Sequence, residues 1–320
     1  LVTGATGFVG SHLVEALQRS GAEITAFARS PAKSASLVSS GVRVVAGDLH
    51  DLDGLSRAVQ GQDVIYHVAG VVAARSEAEF LRCNCEGTRN LVTAAETSGQ
   101  KLRFVLVSSL AAGGPAPRGL PLDGTEPARP VTAYGRSKLA AEEVVRASSL
   151  SWTIVRPPVV YGPRDREVFK LFRLARLGIA PVFGDGAQEL SAIHAADLAS
   201  SFLAVADSGG ATGHTYTACH PQIFTSGEFA RAIGAAMGRS VGTLRIPKPL
   251  GRALLTITEN AARIAGQQTI LTTDKANEFF QAAWTGDPRP LTRDTGWCAK
   301  FDLRSGLADT YQWYRRAGWL

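Results

Sequence analysis

Short apolar runs and amphipathic stretches take turns along the first two hundred residues. The runs at Leu1-Val2, Glu23–Ala28, Val42–Ala46, Asp63–Gly70, Arg103–Val107 and Trp152–Arg156 each have strand length. Phe104-Val105-Leu106-Val107 is apolar without a break, as expected for a parallel strand covered on both faces. Between these runs, His12–Leu17, the stretch around Asn84, the segment opened by Tyr134 and Arg164–Gly178 read as helices. Strands that alternate with helices predict a parallel sheet. Gly113–Pro130 is rich in glycine and proline and predicts an irregular loop, expected over the mouth of a site. Beyond Gly213 short strands and helices alternate, and the closing aromatics Trp313, Tyr314 and Trp319 read as packing. Pro249–Gly266 is apolar and basic, which fits an ordinary helix better than one facing a partner or a membrane.

The opening strand runs straight into Thr3-Gly4-Ala5-Thr6-Gly7-Phe8-Val9-Gly10 and then into a helix. Glycines in a strand–turn–helix suit a dinucleotide site. Gly4 allows the tight turn, Gly7 lets backbone N–H groups approach a pyrophosphate, and Gly10 lets helix and sheet pack closely. The phosphates would sit at the positive end of the helix dipole. The turn Thr3, Gly4, Thr6, Gly7, Phe8, Val9 and Gly10 is therefore a candidate cofactor cradle. About 20 residues past such a turn the second strand ends beside the adenosine ribose. An acidic residue there would accept the ribose hydroxyls, but this chain offers Arg29, Ser30 and Lys33. Cations and a hydroxyl suit a phosphate, so NADP(H) is favoured, with NAD(H) possible. The fold class that follows is α/β, a Rossmann-type doubly wound parallel sheet with a smaller C-terminal α/β substrate lobe.

Composition changes this picture little. The 320 residues are 45% hydrophobic and 19% charged, ordinary for a globular enzyme, and no apolar run is long enough to span a bilayer. The net charge of +6 comes without a basic run and does not argue for nucleic acid. Cys83, Cys85, Cys219 and Cys298 fit neither a zinc spacing nor a disulfide framework. Buried thiols in a cytoplasmic protein without a metal are the expectation. No signal peptide is visible, and because the chain opens inside a strand, further residues are expected before Leu1.

A second motif follows the fifth strand. Ser108-Ser109 stands at that strand's C-terminal end, where open α/β sheets place ligands. Tyr134 and Lys138 then lie four apart, on one face of a helix. Together, the Thr-Gly-x-x-Gly-x-x-Gly turn, the Asp48-Leu49 pair, the strand ending Val68-Ala69-Gly70, this Ser/Tyr/Lys set and Arg156-Pro157-Pro158-Val159-Val160-Tyr161-Gly162-Pro163 resemble the extended short-chain dehydrogenase/reductase superfamily. The resemblance implies that Asp48 and Leu49 meet the adenine, that Val68, Ala69 and Gly70 line the cofactor, and that Pro157, Pro158 and Val159 pass the nicotinamide. It gives Asn84 a structural role tying its helix to a strand, makes His67 a packed residue, has Asp197 cap a helix, and implies a homodimer through the Tyr134 helix.

The residue chemistry supports hydride transfer. Tyr134 is the candidate proton donor, Lys138 the charge that favours its phenolate, and Ser109 the group that holds the substrate oxygen, with Ser108 as the alternative. Leu110-Ala111 stands where related dehydratases carry an Asp-Glu pair, and Gln188–Ser191 lacks the cation with which many epimerases grip a diphosphate. The chain thus resembles the dihydroflavonol reductase and 3β-hydroxysteroid dehydrogenase side of the branch. The expectation is an NADP(H)-dependent oxidoreductase acting on a lipophilic ketone or secondary alcohol as its small-molecule substrate. The alternatives are a nucleotide-sugar epimerase with tightly bound NAD and a non-catalytic dinucleotide-binding protein. The expected division assigns 1–163 and the returning 189–213 to the Rossmann domain, and 164–188 and 214–320 to the lobe.

Overall fold

The computed structural model describes the backbone of residues 1–320 and every side chain except those of Pro31 and Lys33. The six expected strands form as β1 (Val2–Thr3), β2 (Thr25–Ala28), β3 (Arg43–Ala46), β4 (Val64–His67), β5 (Arg103–Val107) and β6 (Ser151–Arg156). With Thr215–Thr217 they make a seven-stranded sheet in the order Thr215–Thr217, β6, β5, β4, β1, β2, β3. All its pairings are parallel. Strand order reverses between β1 and β4, which opens a crevice beyond their C-terminal ends.

Two-residue periodicity explains why β5 is apolar beyond its first residue. Val105, Val107 and Val155 point to one face, under the helices Phe8–Arg19 and Ala195–Asp207. Phe104, Leu106 and Ile154 point to the other, under the helices Leu52–Val59, Gly87–Thr97 and Ala133–Arg146. Both faces are covered, so no position in β5 beyond its first is left for a polar side chain.

Thr215–Thr217 corrects the boundary expected at residue 213. It pairs with Ile154–Arg156 as the outer strand of the main sheet, and the buried Tyr216 joins that sheet's core. The remaining lobe has its own core, in which Phe172, Phe229, Ile233, Leu307 and Tyr314 are buried. Tyr314 stacks on Trp319 at 5.6 Å, and its hydroxyl donates to the Asp165 carbonyl at 2.7 Å, so the closing aromatics do pack. The helix expected from Arg164 begins at Glu167, because the Asp165 carboxylate accepts the N–H groups of Glu167 (2.8 Å) and Val168 (3.2 Å).

Three other expectations change. Asp197 does not cap its helix. His194 does, and the Asp197 carboxylate accepts the backbone N–H groups of Lys300 and Phe301 instead. The Gly- and Pro-rich loop does not cover the mouth of the site: Ala116 and Leu122 bridge to Ala283 and Gly286, and none of residues 113–130 lines the cavity. Of the thiols only Cys219 is buried, and Cys298 is exposed. The helix Lys248–Ile264 seats Gly251 and Leu255 inward and leaves Leu250, Leu254, Ile257 and Ile264 exposed. No helix among the described residues is long and apolar enough to cross a membrane.

Candidate functional site

The glycine turn is built by close approach. Gly4 takes φ +74°, and a Cβ there would lie 2.7 Å from the Ala69 nitrogen. On Gly10 a Cβ would come within 2.1 Å of the Gly4 carbonyl oxygen. Both positions are therefore closed by the protein's own backbone. Gly7 differs: its φ is −81°, and within 4 Å its Cβ would meet only that same carbonyl, at 3.2 Å. The space Gly7 leaves belongs to the cavity it lines. No side chain caps the helix Phe8–Arg19, so its first-turn N–H groups are available to an anion, and the cradle fits a pyrophosphate.

The Thr3 hydroxyl is turned inward, 2.7 Å from His67 Nδ1, and accepts the Ala69 N–H at 3.2 Å. His67 reaches the Thr88 hydroxyl at 2.9 Å through its other nitrogen. Burial, with Lys138 nearby, pushes His67 down to about 3, so it stays neutral and structural. Asn84 accepts the Val71 N–H at 2.8 Å and donates to Val71 O and to Ser137 Oγ. It thus ties the π-helical turn Leu81–Glu86 both to the loop after β4 and to the Tyr134 helix.

At the end of β5 the two serines part. The Ser108 hydroxyl donates to Glu142 at 2.5 Å and is buried. Ser109 N-caps the short helix Leu110–Gly113, and it stands near enough to the Tyr134 side chain to pull its pKa down. Thr132 caps the helix Ala133–Arg146, which carries Tyr134 and Lys138 on one face. Lys138 Nζ donates to the Val107 carbonyl at 2.7 Å. Burial raises Tyr134 to about 12 against the opposing pull of Ser109, and the Glu278 charge adds to the rise. Burial lowers Lys138 to about 8, against the pull of Glu142. Ser109, Tyr134 and Lys138 thus converge at the wall of one cavity.

That cavity measures about 1510 Å³ and runs from the glycine turn, past the Ser/Tyr/Lys group, into the lobe. Thr6, Gly7, Phe8, Val9, Gly10, Val68, Gly70, Pro157, Pro158 and Val159 also line it. Thr3, Gly4 and Ala69 do not line it; they hold the turn from behind. Arg29 and Ser30 lie past the end of β2, Arg29 exposed, and neither borders the cavity. The side chain of Lys33 lies outside the described residues. Asp48 accepts the His50 N–H at 2.7 Å, and Leu49 packs on Gly87 away from the cavity wall. Among the described residues no cluster of His, Cys, Asp and Glu could hold a metal.

Two features carry no local signature. Glu142, one turn past Lys138, is wholly buried and binds Arg156 through Nε (2.9 Å) and Nη2 (2.6 Å), while also receiving Ser108 and Arg146. Burial alone would raise its carboxyl, but the Arg156 hydrogen bonds and charge hold it below the usual range. The network joins the ends of β5 and β6 to the Tyr134 helix. The second feature is the segment from Ile270 to Trp284, which forms the cavity's far wall in place of the expected loop. It brings Lys275 Nζ to 5.8 Å from the Tyr134 ring centre.

The model of the NAD dependent epimerase/dehydratase family matches residues 1–219. A ceramide reductase of Caulobacter vibrioides (strain NA1000 / CB15N) is 33% identical over 320 residues, covering 100% of this chain and 95% of the relative. Among solved structures, gox2253 superposes with a TM-score of 0.81 at 25% identity, covering 99% of this chain and 98% of that one. MoeE5 in complex with UDP-glucose and NAD gives 0.78 at 27% identity, with 99% and 98% covered.

Proposed function

The chain belongs to the NAD dependent epimerase/dehydratase family of NAD(P)-dependent enzymes, and from that premise we propose that it reduces a lipophilic ketone to a secondary alcohol with NADP(H). The observation that carries this reading is the single cavity that joins a phosphate cradle to a Ser/Tyr/Lys group and then continues between mostly apolar walls, with charged side chains at residues 164–167, Lys170, Lys275 and Glu278. When bound along Gly7 and the first turn of Phe8–Arg19, the dinucleotide would supply the hydride. The protein's part is to hold the ketone oxygen and give it a proton. Ser109, which lines the cavity beside Tyr134, would hold the oxygen, while Ser108 is committed to Glu142. Tyr134, raised to about 12, keeps its proton at neutral pH and is the group that would donate it to the ketone oxygen. Lys138 places a charge one turn away. Arg29 at the end of β2, where no carboxylate would repel a 2′-phosphate, supports NADP(H) over NAD(H). Gln188 supports a substrate without a diphosphate: its amide is spent on the carbonyls of Glu278, Phe279 and Gln281. The reductase relative points to the same chemistry.

A second reading, an epimerase that retains NAD, is favoured by the MoeE5 neighbour with its bound UDP-sugar and NAD. Fluorescence titration with NADPH and NADH, after a check for nucleotide carried through purification, separates the two. Exchangeable NADPH preferred over NADH supports the reductase. Retained NAD that added NADPH does not displace overturns it in favour of the epimerase.

A further inference from the structure

The cavity's far wall holds a charged pair where its neighbours are apolar. Lys275 and Glu278 are ion-paired, with side chains only 25% and 13% exposed, between Leu271 and Phe279. Removing such a pair from water is costly, so a position beside the proton donor calls for an explanation beyond stability. The pair is also fixed in place. Thr132 Oγ1 donates to Glu278 Oε1 at 2.9 Å, and the Ala133 N–H donates to Asp274 at 2.9 Å. Trp284 Nε1 donates to the Glu278 carbonyl at 2.9 Å. The segment is thereby bolted to the first turn of the very helix that carries Tyr134, which sets Lys275 Nζ over the Tyr134 ring at 5.8 Å.

The hydrogen-bonding capacity left over defines a ligand. An ammonium has three donors, and the Glu278 carboxylate keeps lone pairs beyond those used by Thr132 and Lys275. One substrate hydroxyl could accept from Lys275 and donate to Glu278, and a secondary amide could do the same through its C=O and N–H. A phosphate or carboxylate would be drawn to Lys275 but repelled by Glu278, so the pair as a whole offers an anion little. A purely apolar chain would leave both groups desolvated without return. We propose that Lys275 and Glu278 form a neutral polar clamp that selects ketones bearing a hydroxyl or secondary amide close to the carbonyl, at the head of a long apolar chain. The proposal rests on the ketone-reductase reading.

The test compares a long-chain aliphatic ketone with the same ketone hydroxylated two carbons from its carbonyl, using the full chain with NADPH or NADH. The wild type should favour the hydroxylated ketone by at least about tenfold in kcat/KM, because a site built to hydrogen-bond a group rejects the analogue that lacks it. Lys275→Met and the isosteric Glu278→Gln should each bring the ratio towards one, and Lys275→Arg should restore part of it. Equal kcat/KM for the two ketones in the wild type overturns the clamp and leaves the reductase standing. So does a preference that survives both substitutions, or a stronger preference for a carboxylate at the same position. Failure to reduce either ketone overturns the clamp together with the reading beneath it.

Discussion

The cavity has two ends made in different ways. At the dinucleotide end the surface is largely backbone: Gly7 and Gly10 line it, Gly4 closes the turn from behind, and helix N–H groups supply the polarity. At the lobe end the surface is side chains, with Phe183 stacked on Phe279 at 4.6 Å, and Lys275 and Glu278 set among them. A backbone site tolerates almost no substitution, because a single Cβ collides with main chain. A side-chain site can be rebuilt residue by residue. The difference separates a chemistry shared by a family from a substrate that can vary within it.

The strongest way to break this division is at the reacting group. Tyr134→Phe should lower turnover by about 10²–10⁴-fold, the usual worth of a positioned proton donor, and leave NADPH binding intact. Unchanged turnover would remove the proton donor from the mechanism. Next in size is the buried network behind that end. Glu142→Gln leaves Arg156 without its main partner in a dry site and should cost about 3–5 kcal/mol of stability. Denaturant melts measure this, and an undisturbed midpoint would mean that the buried Arg156 does not depend on Glu142 as the geometry implies.

The two ends were unequally legible in the sequence. The strands could be read because burial on both faces leaves uninterrupted apolar runs, and the glycine turn because a backbone cradle demands glycine at fixed spacing. Tyr134 and Lys138 share a helix face, so their distance in space is written as a distance in sequence. Ser108 and Ser109 could not be told apart by motif. The choice falls to Glu142, 34 residues from Ser108, which captures its hydroxyl. The Ile270–Trp284 wall was illegible because it meets Tyr134 across more than a hundred residues and has no repeated spacing. Thr215–Thr217 was misplaced because a three-residue edge strand carries too little pattern to mark its sheet.

Lys138 sharpens the comparison by setting function against stability within the backbone end. Its folded value of about 8 lies below the usual 10.5, because burial disfavours the ammonium. The unfolded chain therefore binds more protons between those values, and the protein gains stability as pH rises through that window. Lys138→Met removes the buried charge and should stabilise the protein at pH 7 by roughly 1–3 kcal/mol, less whatever the lost bond to Val107 costs, while it impairs turnover. The gain should shrink as pH approaches 10. A gain that stays flat with pH would show that the wild-type ammonium is not the strained group.

The smallest expected effect tests the lobe end alone. Phe279 is half-buried, lines the cavity and stacks on Phe183 with the rings 6° from parallel. If that wall only holds the apolar chain, it binds ground state and transition state equally. Phe279→Ala should then raise KM for a long-chain ketone by about tenfold, roughly 1.4 kcal/mol, with kcat unchanged. Loss of the ring pair should cost stability about 0.5–1.5 kcal/mol beyond the apolar area it uncovers. A short ketone that does not reach the wall should show no change in KM. If kcat falls as far as kcat/KM, the wall acts in the transition state. The two ends would then be one catalytic unit, and the lobe could not change its substrate without changing the chemistry.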